Sequence, residues 1–227
     1  MDSFEVPVPV MTFDEIALVQ RPVLHGIPGH HLVNDRVSLG RPQVTPLNAA
    51  GVERWAGEEL GEHARHLFGS ARFCLLSTAV NFHHHDREPV ESATLQVRLR
   101  AHSAGVAQQP LAWDLSPIRA VSTAKQNSSL KLNLNLKFFT AEVAKNLEEQ
   151  GEDPYLEAEG VDCSDALWVF TRTARQRLSG VHRLHMVIRL PFTGPCGAEF
   201  ALAADVRMGR IISYDAQMLP RVHSVDL

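Results

Sequence analysis

Cysteine is scarce in this chain: Cys74, Cys163 and Cys196 are the only three in 227 residues, far apart and odd in number. No Cys-x-x-Cys pair exists, which removes the usual thiolate zinc sites and a disulfide-stapled scaffold. Long apolar runs are missing too, since none approaches the ~18 residues that a membrane-spanning helix needs. The first residues set Asp2 and Glu5 among valines and prolines, without the basic and then apolar segments of a secretory leader. Neither sign of charge dominates. Twenty-two basic against 26 acidic side chains give a formal net charge of −4, so a general nucleic-acid or anionic-membrane footprint is lacking. These absences predict a soluble cytoplasmic protein with reduced thiols. Gly-x-Ser-x-Gly, Gly-x-Gly-x-x-Gly, the phosphate-binding Gly-x-x-x-x-Gly-Lys loop and His-Glu-x-x-His are all missing, which leaves nucleophilic, nucleotide-binding and zinc-hydrolase chemistry without their usual signatures.

What is present is ordinary globular composition, 44% hydrophobic and 21% charged. A chain of this mass buries roughly 70% of its unfolded surface, so no staple is required. The clearest pattern is the run Ser129 to Phe139. Leu130, Leu132, Leu134 and Leu136 fall on one side, and Lys131, Asn133, Asn135 and Lys137 on the other. A period of two over this length predicts a half-buried strand. Thr94 to Ala101 alternates in the same way, and Arg72 to Phe82 reads as a buried strand. Leu111 to Val121 reads as a strand broken near Pro117.

From Leu167 onward the chain predicts an antiparallel meander. Leu167–Thr173, His182–Leu190, the face Ala198, Phe200, Leu202, Ala204 and Val206, and Ile211–Tyr214 follow one another, with turn signals at Ser179-Gly180 and Arg207–Arg210. A helix over 166–178 competes with the first of these, because Leu167, Phe170, Ala174 and Leu178 also share a helical face; the strand is preferred. Elsewhere one amphipathic helix is predicted over about 49–68, capped by Asn48, with Val52, Trp55, Ala56, Leu60, Ala64 and Leu67 as its stripe. A short helix is predicted over about 141–150. Residues 1–48, rich in proline and glycine, predict an extended arm on a single β-rich domain spanning 49–227. Strands follow strands without regular intervening helices, which predicts a mainly β (α+β) fold, an antiparallel two-sheet sandwich.

Candidate sites are few. His83 and His85, two apart in an extended segment, point the same way and with Asp86 form a candidate site for a divalent metal; His25, His30 and His31 are further donors. His63 falls within the helical stripe and predicts a packed core histidine, with His66 three residues on. Cys196 lies in a Gly-Pro-Cys-Gly turn. Arg172, Arg175, Arg177, Arg183 and Arg189 collect in a region from 167 to 227 that has no lysine. Guanidinium without ammonium suits bidentate binding of carboxylate or phosphate, so these five are candidates for an anion or an acidic partner. The run from Glu148 to Asp165, with eight acidic residues and no basic one, offers an intramolecular partner for them. The function these features predict is a non-enzymatic binding or assembly domain acting through protein–protein contacts, with a partner protein or with copies of itself. One alternative is a metal-dependent enzyme at His83/His85. The other is a β-type membrane-inserting protein, because the leucine run has the length of a spanning strand.

Overall fold

The computed structural model describes residues 11–20, 32–84, 89–102, 108–121, 154–208, 212–218 and 223–227. The leucine run 129–139 and the short helix 141–150 lie outside them. The fold is mainly β, with two antiparallel sheets packed as a sandwich and a helical pair on one outer face. The strands are β1 (Phe13–Gln20), β2 (Leu32–Gly40), β3 (Gln43–Leu47), β4 (Ala71–Phe82), β5 (Val90–Ala101), β6 (Leu111–Ser116), β7 (Arg119–Val121), β8 (Pro154–Glu159), β9 (Asp165–Thr171), β10 (Gly180–Pro191), β11 (Cys196–Met208), β12 (Ile212–Met218) and β13 (His223–Asp226). The helices are α1 (Ala49–Ala56) and α2 (Glu58–Leu67).

One hydrogen-bonded path runs β6-β10-β4-β2-β1-β12-β11-β5-β9-β8-β7, with β3 beside β4 and β13 beside β11. It doubles back through β2, β1 and β12, which lays β4, β10 and β6 over β5, β9 and β11. On the opposite side the layers meet again, where Ala112 N–H donates to the Cys163 carbonyl at 2.9 Å and Asp162 N–H to that of Ala112 at 2.7 Å.

Burial explains the sequence patterns. β5 turns Ala93, Leu95, Val97 and Leu99 inward while Arg98 and Arg100 face water, the alternation of a sheet with one wet face. β4 is buried on both sides because each has a neighbour. Cys74, Leu76, Val80 and Phe82 join the inter-layer core, whereas Phe73 and Leu75 pack under the helices with Trp113 and Val187. That double burial makes Phe73-Cys74-Leu75-Leu76 continuous rather than alternating.

Two expectations need correcting. The single helix over 49–68 is two helices. Asn48 does cap the first, its Oδ1 accepting from Gly51 N–H at 2.9 Å, but Gly57 ends it at φ 89°, a conformation that favours glycine. Gly61 then lets α2 approach α1 closely, since a Cβ there would lie 2.5 Å from Cβ of Glu53. The last sixty residues are also not a meander. β9 pairs with β5 and β8, β10 with β4 and β6, and β11 with β5, β12 and β13. The chain therefore changes layer after β9, because β10 finds its full-length partner in β4, twelve register pairs from Gly180↔Phe82 to Pro191↔Ala71. Residues 165–171 are strand and not helix, as preferred. Strands β1 and β2 belong to the same hydrogen-bonded path as the rest, and β3 pairs with β4 beside it.

The core assignment is testable by truncation. Leu95, 0% exposed, should cost ~2–5 kcal/mol when replaced by alanine, through lost transfer energy and the cavity left behind. Val181, on the same scale 51% exposed, should change stability by no more than ~0.5 kcal/mol as Val181→Ala. Denaturant melts of the two variants measure both values.

Candidate functional site

At one end of the sandwich β4 runs out into His83 and His84, Pro89 leads into β5, 172–179 joins β9 to β10 across the layers, and β11 finishes. These segments enclose a cleft of about 70 Å³ lined by His83, His84, Pro89, Val90, Arg172, Arg177, Leu178 and Arg207. Backbone hydrogen bonds fix three of its walls. His83 N–H donates to the Arg36 carbonyl at 2.9 Å, Arg172 N–H to that of Glu91 at 2.7 Å, and Arg207 N–H to that of Pro89 at 3.0 Å. The 172–179 crossing is shaped by Thr173, whose Oγ1 accepts from the backbone N–H groups of Arg175 at 3.3 Å and Gln176 at 3.0 Å.

Beside the cleft one carboxylate oxygen holds two guanidinium groups. Arg172 Nη1 donates to Glu91 Oε1 at 2.6 Å, and Arg207 Nε lies 3.1 Å from the same oxygen, an ion-pair contact without hydrogen-bond alignment. Arg172 and Arg207 thus set two positive charges against the single charge of Glu91. No carboxylate lines the cleft among the described residues. His83 is half-buried, and its Nε2 is 3.1 Å from Ser38 Oγ.

The predicted sites are partly assembled and partly dispersed. His83 reaches the cleft, but His85, Asp86, His25, His30 and His31 lie outside the described residues. Among those residues no three potential ligands form a metal-binding group. Of the five arginines, Arg172 and Arg177 line the cleft. Arg175 is exposed on the crossing, Arg183 is exposed on β10 opposite Ala79, and Arg189 lies over the Trp113 ring with its guanidinium carbon 5.0 Å from the centroid. The set divides because Arg183 and Arg189 sit on the outward side of β10, away from the crossing. Within the described part of the acidic run, Asp165 pairs with Arg98 at 2.8 Å and Glu157 with Arg119 at 3.7 Å. His63 is exposed rather than packed in the core, its ring edge-on to Trp113 at 5.3 Å. The break at Gly57 resets the helical face, so Gly61 and Ala64 are buried in its place. Cys196 opens β11 and is buried, and burial raises its thiol above the ordinary range while Arg72 opposes the shift.

Sequence reasoning missed Glu91 and Arg207. They carry no local signal, since each acquires its role from partners brought together by strand pairing. It also missed Ser77 and His185, 108 residues apart, whose Oγ and Nδ1 are 3.0 Å apart on the outer face. Trp55 of α1 lies over this histidine, ring centroids 5.0 Å apart. Burial lowers the His185 pKa, and Arg183 lowers it further. A serine and histidine at this distance have the geometry of nucleophile and base, but Ser77 is only 7% exposed. The pair closes a polar row, Gln43–Ser77–His185–Ser116 by register, along the margin of the helix-covered cluster. Beneath the cleft, burial likewise lowers the His182 pKa, opposed by the Ser179 backbone. The chain matches no protein-family model, and no curated protein matches it either.

Asp114, on β6 opposite Val187, gives a pH test of this outer face. Burial pushes its carboxyl up to about 6 from an ordinary 3.8, against a lowering hydrogen bond from the Leu115 backbone. A raised value means that the folded state holds the proton more tightly than the unfolded one. The penalty for an ionised Asp114 is therefore full above about 6, shrinks as pH falls, and vanishes below 3.8. Asp114→Asn should be more stable than the parent at pH 8, with the difference closing by pH ~4. The lowered histidines act in the opposite direction but equally in both proteins, so paired denaturant melts isolate the aspartate.

Proposed function

We propose that this chain is a non-enzymatic β-sandwich binding domain whose partner is a protein with an acidic contact segment, engaged at the end where the chain crosses between layers. The observation that supports this reading is the convergence of Arg172 and Arg177 from the 172–179 crossing and Arg207 from β11 on one cleft. Loops set on a rigid sandwich are where binding residues gather, because the strands hold the crossing points while the loop side chains stay accessible. Size narrows the kind of ligand. A cleft of about 70 Å³ is well below the ~300–1,000 Å³ of small-molecule pockets. It takes one functional group of a partner that otherwise remains outside. A reducing cytoplasm suits a chain whose cysteines are all unpaired. Among the described residues no helix is long and apolar enough to cross a membrane. A metal-dependent enzyme at His83 would use Nδ1, because Nε2 lies 3.1 Å from Ser38 Oγ.

Fluorescence anisotropy against ten-residue acidic, neutral and basic peptides tests the proposal. Acidic peptides should bind saturably, and more weakly as salt rises. Arg172→Ala/Arg207→Ala, and separately Arg177→Ala, should weaken binding by about tenfold or more, on the order of 1.4 kcal/mol. Thermal melts confirm that each variant is folded. Equal binding of all three peptide classes, or unchanged affinity in folded variants, would contradict it.

A further inference from the structure

We infer that the first stretch of β10, residues 180–184, is an acid-operated latch: a proton taken up at His182 Nε2 releases it from β4 and opens the crossing end, whatever the cleft binds. Hydrogen bonding makes this stretch the one-sided part of its strand. From His185 to Arg189, β10 lies between β4 and β6, but among the described residues Gly180 to Leu184 pair with β4 alone, from Phe82 to Thr78. Side-chain packing supplies what a second ladder does not. His182 points into the sandwich, where its ring lies 5.6 Å from that of Phe82, 5.5 Å from Phe170 and 5.8 Å from Tyr155. Its Nε2 is buried and meets no hydrogen-bond partner among the described residues.

A neutral ring suits that setting and a charged one does not. Protonation would put an N–H at Nε2 without an acceptor, and a buried charge that lacks a partner is disfavoured. Attraction to the aromatic faces is the smaller effect, because it replaces only part of the hydration the charge gives up. Burial accordingly lowers the His182 pKa from an ordinary 6.5, with the Ser179 backbone opposing. A released stretch regains the ordinary value, so release takes up a proton and becomes easier as pH falls below 6.5. The groups around the ring do not cancel this. β4 and β9 present Phe82 and Phe170, and β8 presents the Tyr155 phenol, which burial keeps protonated. In the cleft, Arg172 and Arg207 set two positive charges against Glu91, and His83 and His84 line it too. On β10 itself Arg183 is exposed on the outward side. His185, also lowered by burial, acts in the same direction as His182, whereas Asp114 opposite Val187 sheds an unfavourable charge in acid and acts against it.

Amide hydrogen exchange at pH ~7.5 and pH ~5, corrected for its intrinsic pH dependence, tests the latch. Protection of residues 180–184 and of the facing 78–82 should fall roughly threefold or more in acid, whereas residues 187–190 should keep or gain protection. His182→Phe retains a ring without the proton site and should lose most of this response; His185→Gln should keep it. Should His182→Phe fail to fold, the ring resonances of His182 in the parent protein decide, and they should titrate below 6.5. Equal protection at both pH values, or a loss shared equally by residues 187–190, would overturn the inference. So would a response that persists in His182→Phe, or a His182 ring that titrates at or above 6.5.

Discussion

Phe82 and Phe170 meet edge to face across the sandwich, ring centroids 5.1 Å apart, and the geometry of the crossing end depends on that contact. Phe82 is the last residue of β4 and Phe170 the penultimate residue of β9, so each stands directly before a point where the chain leaves its layer. His182 packs against both rings, at 5.6 and 5.5 Å, and Tyr155 against His182 at 5.8 Å. Aromatic pairs of this kind contribute ~0.5–1.5 kcal/mol beyond the area they bury. Their effect here is positional as well as energetic. The knot fixes how far apart the two layers stand at this end, and with it the separation of His83 and Val90 from Arg172 and Leu178. Burial lowers the His182 pKa, so the knot sits under the cationic cleft without adding a charge of its own.

Long in-register strands make the end rigid enough for such a contact to matter. β4 and β10 pair over their whole length, and β5 and β11 over nearly theirs. The outer face of β4 and β10 is then closed by α1 and α2, whose small residues Ala56, Gly61 and Ala64 bring the helical backbones close to the sheet and to each other. Burial there extends to polar groups as well. Ser77 and His185 satisfy one another, Arg189 lies on the Trp113 ring, and Asp114 holds its proton more tightly than an exposed carboxyl. The sheet thus has one face that builds a core, one that carries a helical cover, and one end that presents charge.

How much of this was legible in the sequence follows from which interactions are local. β5 and β11 show their alternation openly because one face is wet, and β4 shows itself as an apolar run because neither is. Gly57 stood in plain view within the predicted helix; a period of 3.6 continued across it gave His63 a core position that the break removes. Pairing order was not legible. Nothing within 165–191 says that β10 will leave β9 for a partner a hundred residues upstream, since the reward comes from β4. The arginine cluster was visible as a composition bias, but its membership was not. Arg183 and Arg189 are near Arg172 in sequence and on another face in space, while Arg207, distant in sequence, shares with Arg172 one carboxylate oxygen of Glu91. The leucine run from 130 to 136, the most regular pattern in the chain, falls outside the described residues, between the paired strands β7 and β8.

The central claim is that the Glu91-bridged arginines form a preformed anion site, unlike the other ion pairs of the surface. Side-chain Nε–H spectra of the arginines, recorded while inorganic phosphate is added, test it with internal controls. Arg172 and Arg207 should shift together and saturably. Arg98 and Arg119, paired with Asp165 and Glu157 on strands β5 to β9, should not move beyond the general effect of ionic strength. Small, parallel and unsaturable shifts at all four arginines would contradict the claim.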